Sequence, residues 1–295
     1  CGKCRAQVPE TKCDRSHPLP PRASTPNLAR CIDARPMSSA TVIAVANQKG
    51  GVGKTTTSVN LAASLAAAER PTLLIDTDPQ GNATSGVGAR HRGALSLYDV
   101  LAGRAPLEDA VLDTEVNGLS VVPASQDLVG VELELIDATD RATRLRDVVD
   151  RVRARYDYIV LDCPPSLGLI TVNALSAADQ VLVPMQCEYY ALEGLTQLMA
   201  TIDRVRALYN PKLTVAGIVL TMFDARNSLT HQVAAEVRDH FHVFDAIIPR
   251  NVKLSEAPSY GKPALLYDIQ CKGAQGYLSL ARELLDSRER AEALA

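Results

Sequence analysis

The sequence predicts a doubly wound α/β protein, with a mostly parallel sheet between two helical layers, on three observations. From Thr41 onward, short β-branched runs alternate with helical patterns, the signature of βαβ units that build a parallel sheet. Several of those runs are apolar almost throughout, as strands are when helices cover both faces. A glycine-rich turn, Lys49-Gly50-Gly51-Val52-Gly53-Lys54-Thr55-Thr56, joins the first strand pattern to the first helical one.

In chain order, strands are predicted near Val42–Asn47, Thr72–Asp76, Leu119–Pro123, Tyr158–Asp162, Gln180–Pro184, Leu213–Thr221 and Ala246–Ile248. Helical spacing of apolar residues falls near Thr55–Ala68, Arg141–Arg155, Leu192–Tyr209, Thr230–Phe241 and Ala274–Ala293. No repeat, linker or second core interrupts residues 41–295. Residues 37–295 therefore read as one domain, which 46% hydrophobic content is enough to give a full core.

Residues 1–36 read differently. They are rich in Pro and Arg, lack apolar periodicity, and carry four of the seven cysteines. They read as a disordered extension, or as sequence upstream of a start at Met37, with no apolar core of the kind a secretory signal needs. Cys1, Cys4, Cys13 and His17 have the residue types of a zinc site, but nothing between them reads as a hairpin or helix to hold the ligands. Cys163, Cys187 and Cys271 are widely spaced, as free thiols are in a reducing compartment.

Charge narrows the function classes. The net −3 combines a basic leader, with 7 Lys/Arg against 3 Asp/Glu, and a remainder of 259 residues with 24 against 31, a net of −7. Binding to a polyanion would therefore need a local basic patch. No apolar run approaches the ~20 residues of a membrane-spanning helix.

The glycine-rich turn points to phosphate. A strand, a loop of small residues and a helix starting at Lys54-Thr55 aim backbone N–H groups and a helix N-terminus at one spot. In that setting Lys54 reaches the β and γ phosphates and the Thr55 hydroxyl ligates Mg²⁺. The generic phosphate-loop pattern asks for glycine at position 48, where Gln48 stands, and a second lysine, Lys49, heads the loop. Two further strands end in carboxylates, Asp76-Thr77-Asp78 and Asp162-Cys163-Pro164-Pro165. Acidic residues at these C-terminal strand ends, where α/β proteins bind ligands, can hold Mg²⁺ directly or through water, and Asp78 can orient an attacking water.

These residues resemble the deviant Walker A ATPases of the ParA/MinD class, and within it the chromosome-partitioning ParA, or Soj, group. The resemblance runs from Val42 to about Leu285. It is carried by Lys49-Gly-Gly-Val-Gly-Lys54-Thr-Thr, by Asp76-Thr-Asp78-Pro-Gln-Gly-Asn-Ala-Thr84, by Asp162-Cys-Pro-Pro-Ser166, and by the stretch Ile248-Pro249-Arg250-Asn251 through Lys262-Pro263. It implies a P-loop NTPase fold and a Mg²⁺-dependent ATPase whose two subunits close face to face on two ATP molecules. Lys49 is then the signature lysine that reaches the partner's phosphates. Lys54, Asp78 and Asp162 are the other catalytic positions, and Thr55, Asp78 and Asp162 the metal positions. The nucleotide is held by Lys49, Gly50, Gly51, Val52, Gly53, Lys54, Thr55 and Thr56, with the base at Pro249 and Asn251. The dimer is expected to bind double-stranded DNA without sequence preference through Arg226 and Lys253, with Arg250, Lys262 and Lys272 as further candidates. Hydrolysis stimulated by a ParB-type centromere-binding protein then releases it, which implies a cytoplasmic, nucleoid-associated protein.

Three alternatives fit the residues less well. The MinD division-site regulators carry a basic amphipathic C-terminal helix, whereas Ala281–Ala295 has 3 Arg against 4 Asp/Glu, a charge an anionic membrane does not attract. That tail reads as a helix packing Leu284 and Leu285 on the domain. An electron-transfer ATPase like the nitrogenase iron protein needs two interface cysteines per subunit for its cluster, a placement Cys163 and Cys187 do not match; they read as packing thiols. An ATP-binding scaffold with little turnover does not require both Lys54 and Asp78. An operator-binding helix-turn-helix domain does not fit in residues 1–36.

Overall fold

The computed structural model describes Gly2 and residues 40–295, apart from 90–92, 94, 190 and 295. The chain divides into two units, Cys1–Pro36 and Met37–Ala295. The readings of residues 1–36 as an extension and of Cys1, Cys4, Cys13 and His17 as metal ligands lie outside the described residues.

The elements run β1 (Thr41–Val45), α1 (Lys54–Ala67), β2 (Thr72–Asp76), α2 (Asn82–Gly86), α3 (Leu97–Leu101), β3 (Leu112–Asp113) and β4 (Leu119–Val122). Next come α4 (Leu128–Glu134), α5 (Arg144–Val152), β5 (Tyr158–Asp162), α6 (Leu169–Ala177), β6 (Gln180–Gln186) and α7 (Ala191–Leu208). The chain continues through β7 (Thr214–Phe223), α8 (Ser228–His240), β8 (Val243–Pro249), α9 (Val252–Glu256), α10 (Ala264–Tyr267) and α11 (Lys272–Leu294). The eight strands lie in the order β3-β4-β2-β5-β1-β6-β7-β8, and every neighbouring pair is parallel except β3 with β4.

Two cores explain the three layers. Along β1, Val42 and Ala44 join a cluster with α3 to α8, while Ile43 and Val45 join one with α1, α2 and α11. Because both faces are covered, β2 and β5 are buried at every position, and their sequences show no polar alternation. The edge strand β8 does alternate, burying Phe244, Ala246 and Ile248 while exposing Asp245. Order and sequence together put β1 at the switch point, since the chain leaves it for β2 on one side and later adds β6 to β8 on the other. Ligands of doubly wound sheets bind outside the strand ends at such a point.

The differences from the sequence reading are local. The edge strand β3 is only two residues long and leaves no periodic signal. Helix α6, with nearly every residue buried, has no polar face and so no amphipathic period. The short helices α2, α3, α4, α9 and α10 were likewise not anticipated. Helix α5 is shorter than the predicted 141–155, because Asn173 of α6 takes over its start. The Asn173 amide donates to the Arg141 carbonyl at 2.6 Å, and its oxygen accepts from the Leu145 N–H at 3.1 Å. The other end tightens into a 3-10 turn at Arg153–Arg155. Leu284 is buried and Leu285 packs beside it, as expected of the tail.

One glycine is required by the sheet. Gly217, at the register shift between β6 and β7, has φ +151°, and a Cβ there would lie 2.7 Å from His242 and 2.8 Å from Phe244. Gly217→Ala is expected to cost about 2 kcal/mol or more through overpacking and backbone strain. Urea unfolding of the full chain measures it.

Candidate nucleotide site

The loop between β1 and α1 is fixed from two sides. The Asn47 amide donates to the Pro184 carbonyl of β6 at 2.8 Å, and its oxygen accepts from the Lys49 N–H at 3.0 Å. From β7, the Thr221 hydroxyl donates to the Val52 carbonyl at 2.8 Å. Gly51 and Gly53 hold φ of 74° and 89°, a left-handed backbone that side chains disfavour. A Cβ added at Gly50 or Gly51 would meet nothing within 4 Å, so the space above the loop is open. Gly53 immediately precedes α1 and offers no side-chain cap, which leaves the first N–H groups of a 14-residue helix to a ligand.

Lys54 is 7% exposed, and its ammonium donates to the Lys49 carbonyl at 3.0 Å. Burial lowers its pKa, while Asp162 and Asp78 work against that shift. Asp162 is fully buried at the end of β5. One of its oxygens accepts from the Ser58 hydroxyl at 2.7 Å, and the other is buried with no hydrogen-bond partner. Burial and the neighbouring Asp76 push the Asp162 carboxyl well up, with the Ser58 and Thr55 hydroxyls opposing. An unpartnered oxygen on such a carboxyl suits a cation, which would hold it ionised.

The three strand-end carboxylates do different work. Asp76 is structural: one oxygen takes both the N–H and the hydroxyl of Thr84 at 2.7 Å, and the other takes the Asp78 N–H at 3.2 Å. Asp78 accepts from the Gln80 N–H at 3.0 Å and faces the cleft above the loop. Among the described residues no group of three or more His, Cys, Asp or Glu is arranged as a metal cage. Thr55 and the Asp162 oxygen therefore fit Mg²⁺, an ion that takes few protein ligands and completes its shell with phosphate oxygens and water.

The cleft, of about 470 Å³, is lined by Gly50, Gly51, Gly53, Lys54, Thr55, Thr56, Asp78, Pro249 and Asn251. Val52 lies beneath the loop, 1% exposed. Pro249 closes β8, and Asn251 caps α9 by accepting from the Lys253 N–H at 2.9 Å. Lys49 is not in the lining, and its ammonium is paired with Glu188. Thr221, Met222 and Tyr277 also line the cleft and were missed, being single residues of unremarkable strands and helices. Met222 alone carried a signal only coordinates reveal, a φ of 47°, a costly conformation for a non-glycine residue.

Of the cations expected at DNA, Arg226 lies on the loop after β7, Arg250 follows β8 and Lys253 is in α9, and the Arg250 N–H donates to the Phe223 carbonyl at 3.4 Å. The Arg226 side chain is 91% exposed and pairs with Asp224 at 3.1 Å. Lys253 pairs with Glu256 at 3.1 Å and stands over the Tyr267 ring. Lys262 is 3.5 Å from Glu115, in the turn leading into β4, and Lys272 opens α11. Cys163 and Cys187 are buried free thiols whose pKa values are raised by burial. Among the described residues no helix is long and apolar enough to cross a membrane.

A parallel sheet that delivers a glycine loop, a buried lysine and strand-end carboxylates to one helix N-terminus defines a P-loop nucleotide-binding protein. Residues 40–215 match the family model described as an AAA domain. The chain is 59% identical over 254 residues to the chromosome partitioning protein ParA of Caulobacter vibrioides, covering 84% of this chain and 95% of that one. It is 52% identical over 246 residues to the sporulation initiation inhibitor protein Soj of Bacillus subtilis, covering 82% and 97%. Among solved structures, cobyrinic acid a,c-diamide synthase from Mycobacterium smegmatis with bound ADP and magnesium superposes with a TM-score of 0.75 at 34% identity, over 85% of this chain and 96% of that one. The chain belongs to the ParA/MinD class of P-loop ATPases.

Proposed function

We propose that the protein is an ATP-hydrolysing switch that partitions chromosomes or plasmids, with residues 37–295 as its ATPase domain. The observation that carries the ATP site is the convergence of Lys54, Thr55 and Asp78 on one open cleft at the N-terminus of α1. The partitioning role rests on the identity to ParA and Soj proteins.

In this reading the loop N–H groups and Lys54 bind the phosphates of ATP, and Pro249 and Asn251 bracket the base. Thr55 and Asp162 hold Mg²⁺, which when bound offsets charge on the β and γ phosphates. Asp78 orients water toward the γ-phosphate. Lys49 reaches the phosphates of a second copy, so that two subunits close only while the γ-phosphate is present to bind it. The closed dimer binds double-stranded DNA without sequence preference, through Arg226 and Lys253 from each subunit, and so resides on the nucleoid. Their partners Asp224 and Glu256 weaken that field, which favours weak, salt-sensitive binding. A ParB-type protein then stimulates hydrolysis and releases the dimer.

The test is the ATPase rate of the full chain with DNA and a basic ParB-type N-terminal peptide, together and apart. Stimulation that needs both supports partitioning. Equal rates in all conditions, or stimulation by anionic vesicles instead of DNA, would remove it.

A further inference from the structure

The two lysines of the loop rest in different places. Lys54 is buried in the cleft, whereas Lys49 turns outward and its ammonium forms an ion pair with Glu188, in the segment between β6 and α7. This pair is held by the backbone on both sides. Asn47 ties the loop head to Pro184 of β6 and to the Lys49 N–H. On the other side, the Glu188 N–H donates to the Gln186 carbonyl at 2.9 Å and the Glu188 carbonyl accepts from the Ala191 N–H at 2.9 Å. The side chains are 35% and 46% exposed, so the contact is open to solvent and to a competing anion.

We propose that Glu188 is the positioning residue for Lys49, a latch that keeps it in its own subunit until the triphosphate of a second copy draws it away. The inference rests on the face-to-face dimer of the proposed function. Drawing Lys49 across to a second copy first breaks its ion pair with Glu188, a cost that an unpaired ammonium would not bear. Closing the dimer then exchanges a singly charged carboxylate for a polyphosphate. ADP, lacking the γ-phosphate, competes less well with Glu188 than ATP does, so the latch sharpens the difference between the two nucleotides. Glu188 thereby sets how much ATP is needed before subunits pair.

The test is dimerisation of the full chain against Mg²⁺-ATP, followed by light scattering or sedimentation. Glu188→Gln keeps the size of the side chain and removes its charge. It is expected to lower the ATP concentration for half-dimerisation roughly two- to fivefold at low salt, the range of an exposed ion pair. That gap should close as salt screens the pair in the wild type, a change that a purely structural role for Glu188 does not predict. Glu188→Asp, which retains the charge, should stay close to wild type. If Glu188→Gln needs as much ATP or more, or its shift ignores salt, the latch is overturned while the dimer stands. If the wild-type chain fails to pair with ATP at all, the dimer reading falls and takes the latch with it.

Discussion

Replacing Lys54 with alanine is expected to reduce ATP hydrolysis by at least about 100-fold, the usual cost of losing one preorganised group that stabilises developing charge. Lys54 lines the cleft beside Gly50, Gly51 and Gly53, and burial makes its interactions strong. The variant also loses the bond that closes the loop, from the Lys54 ammonium to the Lys49 carbonyl. Nucleotide affinity should therefore fall together with turnover. Lys54→Arg should not restore it, because a planar guanidinium does not fit a 7% exposed position shaped for an ammonium. Steady-state hydrolysis with calorimetric ATP binding measures both effects. A Lys54→Ala protein retaining a tenth of the wild-type rate would mean that the backbone N–H groups alone carry the phosphate chemistry.

Asp78→Ala should separate binding from hydrolysis. Its carboxylate faces the cleft but is not part of the glycine loop, so ATP affinity is expected to stay within a few-fold of wild type while turnover drops about 100-fold or more. The dimer should then persist on DNA after ATP is added, and sedimentation on a DNA fragment reads that directly. Ready dissociation of this variant would sink the mechanism. Because Asp78 also accepts from the Gln80 N–H, Asp78→Asn is the better control for folding. It keeps an acceptor for that N–H and should show the same loss of turnover.

Much of this was legible in one dimension because the signals are local. The loop from Lys49 to Thr56 and the carboxylates Asp78 and Asp162 lie at the ends of strands whose apolar runs are easy to see, whereas Pro249 and Asn251 were marked only by the family resemblance. The doubly wound fold followed from the alternation of those runs with helices. Helix α6 was not legible, because near-complete burial erases the amphipathic pattern, and the start of α5 was not, because its cap comes from Asn173 on another helix. Thr221, Met222 and Tyr277 reach the cleft only through β7 and α11, and nothing in their neighbours marks them.

The fold class, the phosphate loop and the residue types of the site could be read along the chain, since each depends on contiguous residues obeying the strand and helix periods. How the like groups divide their work depends on contacts between residues distant in the chain. Asp76 became a structural cap because Thr84 meets it, while Asp162 kept an oxygen open for a cation. Lys54 entered the cleft and Lys49 left it for Glu188, 139 residues away in the chain. Those assignments depend on which side chains the sheet order brings within a few ångströms, and charge interactions at that range are invisible to any pattern along the chain.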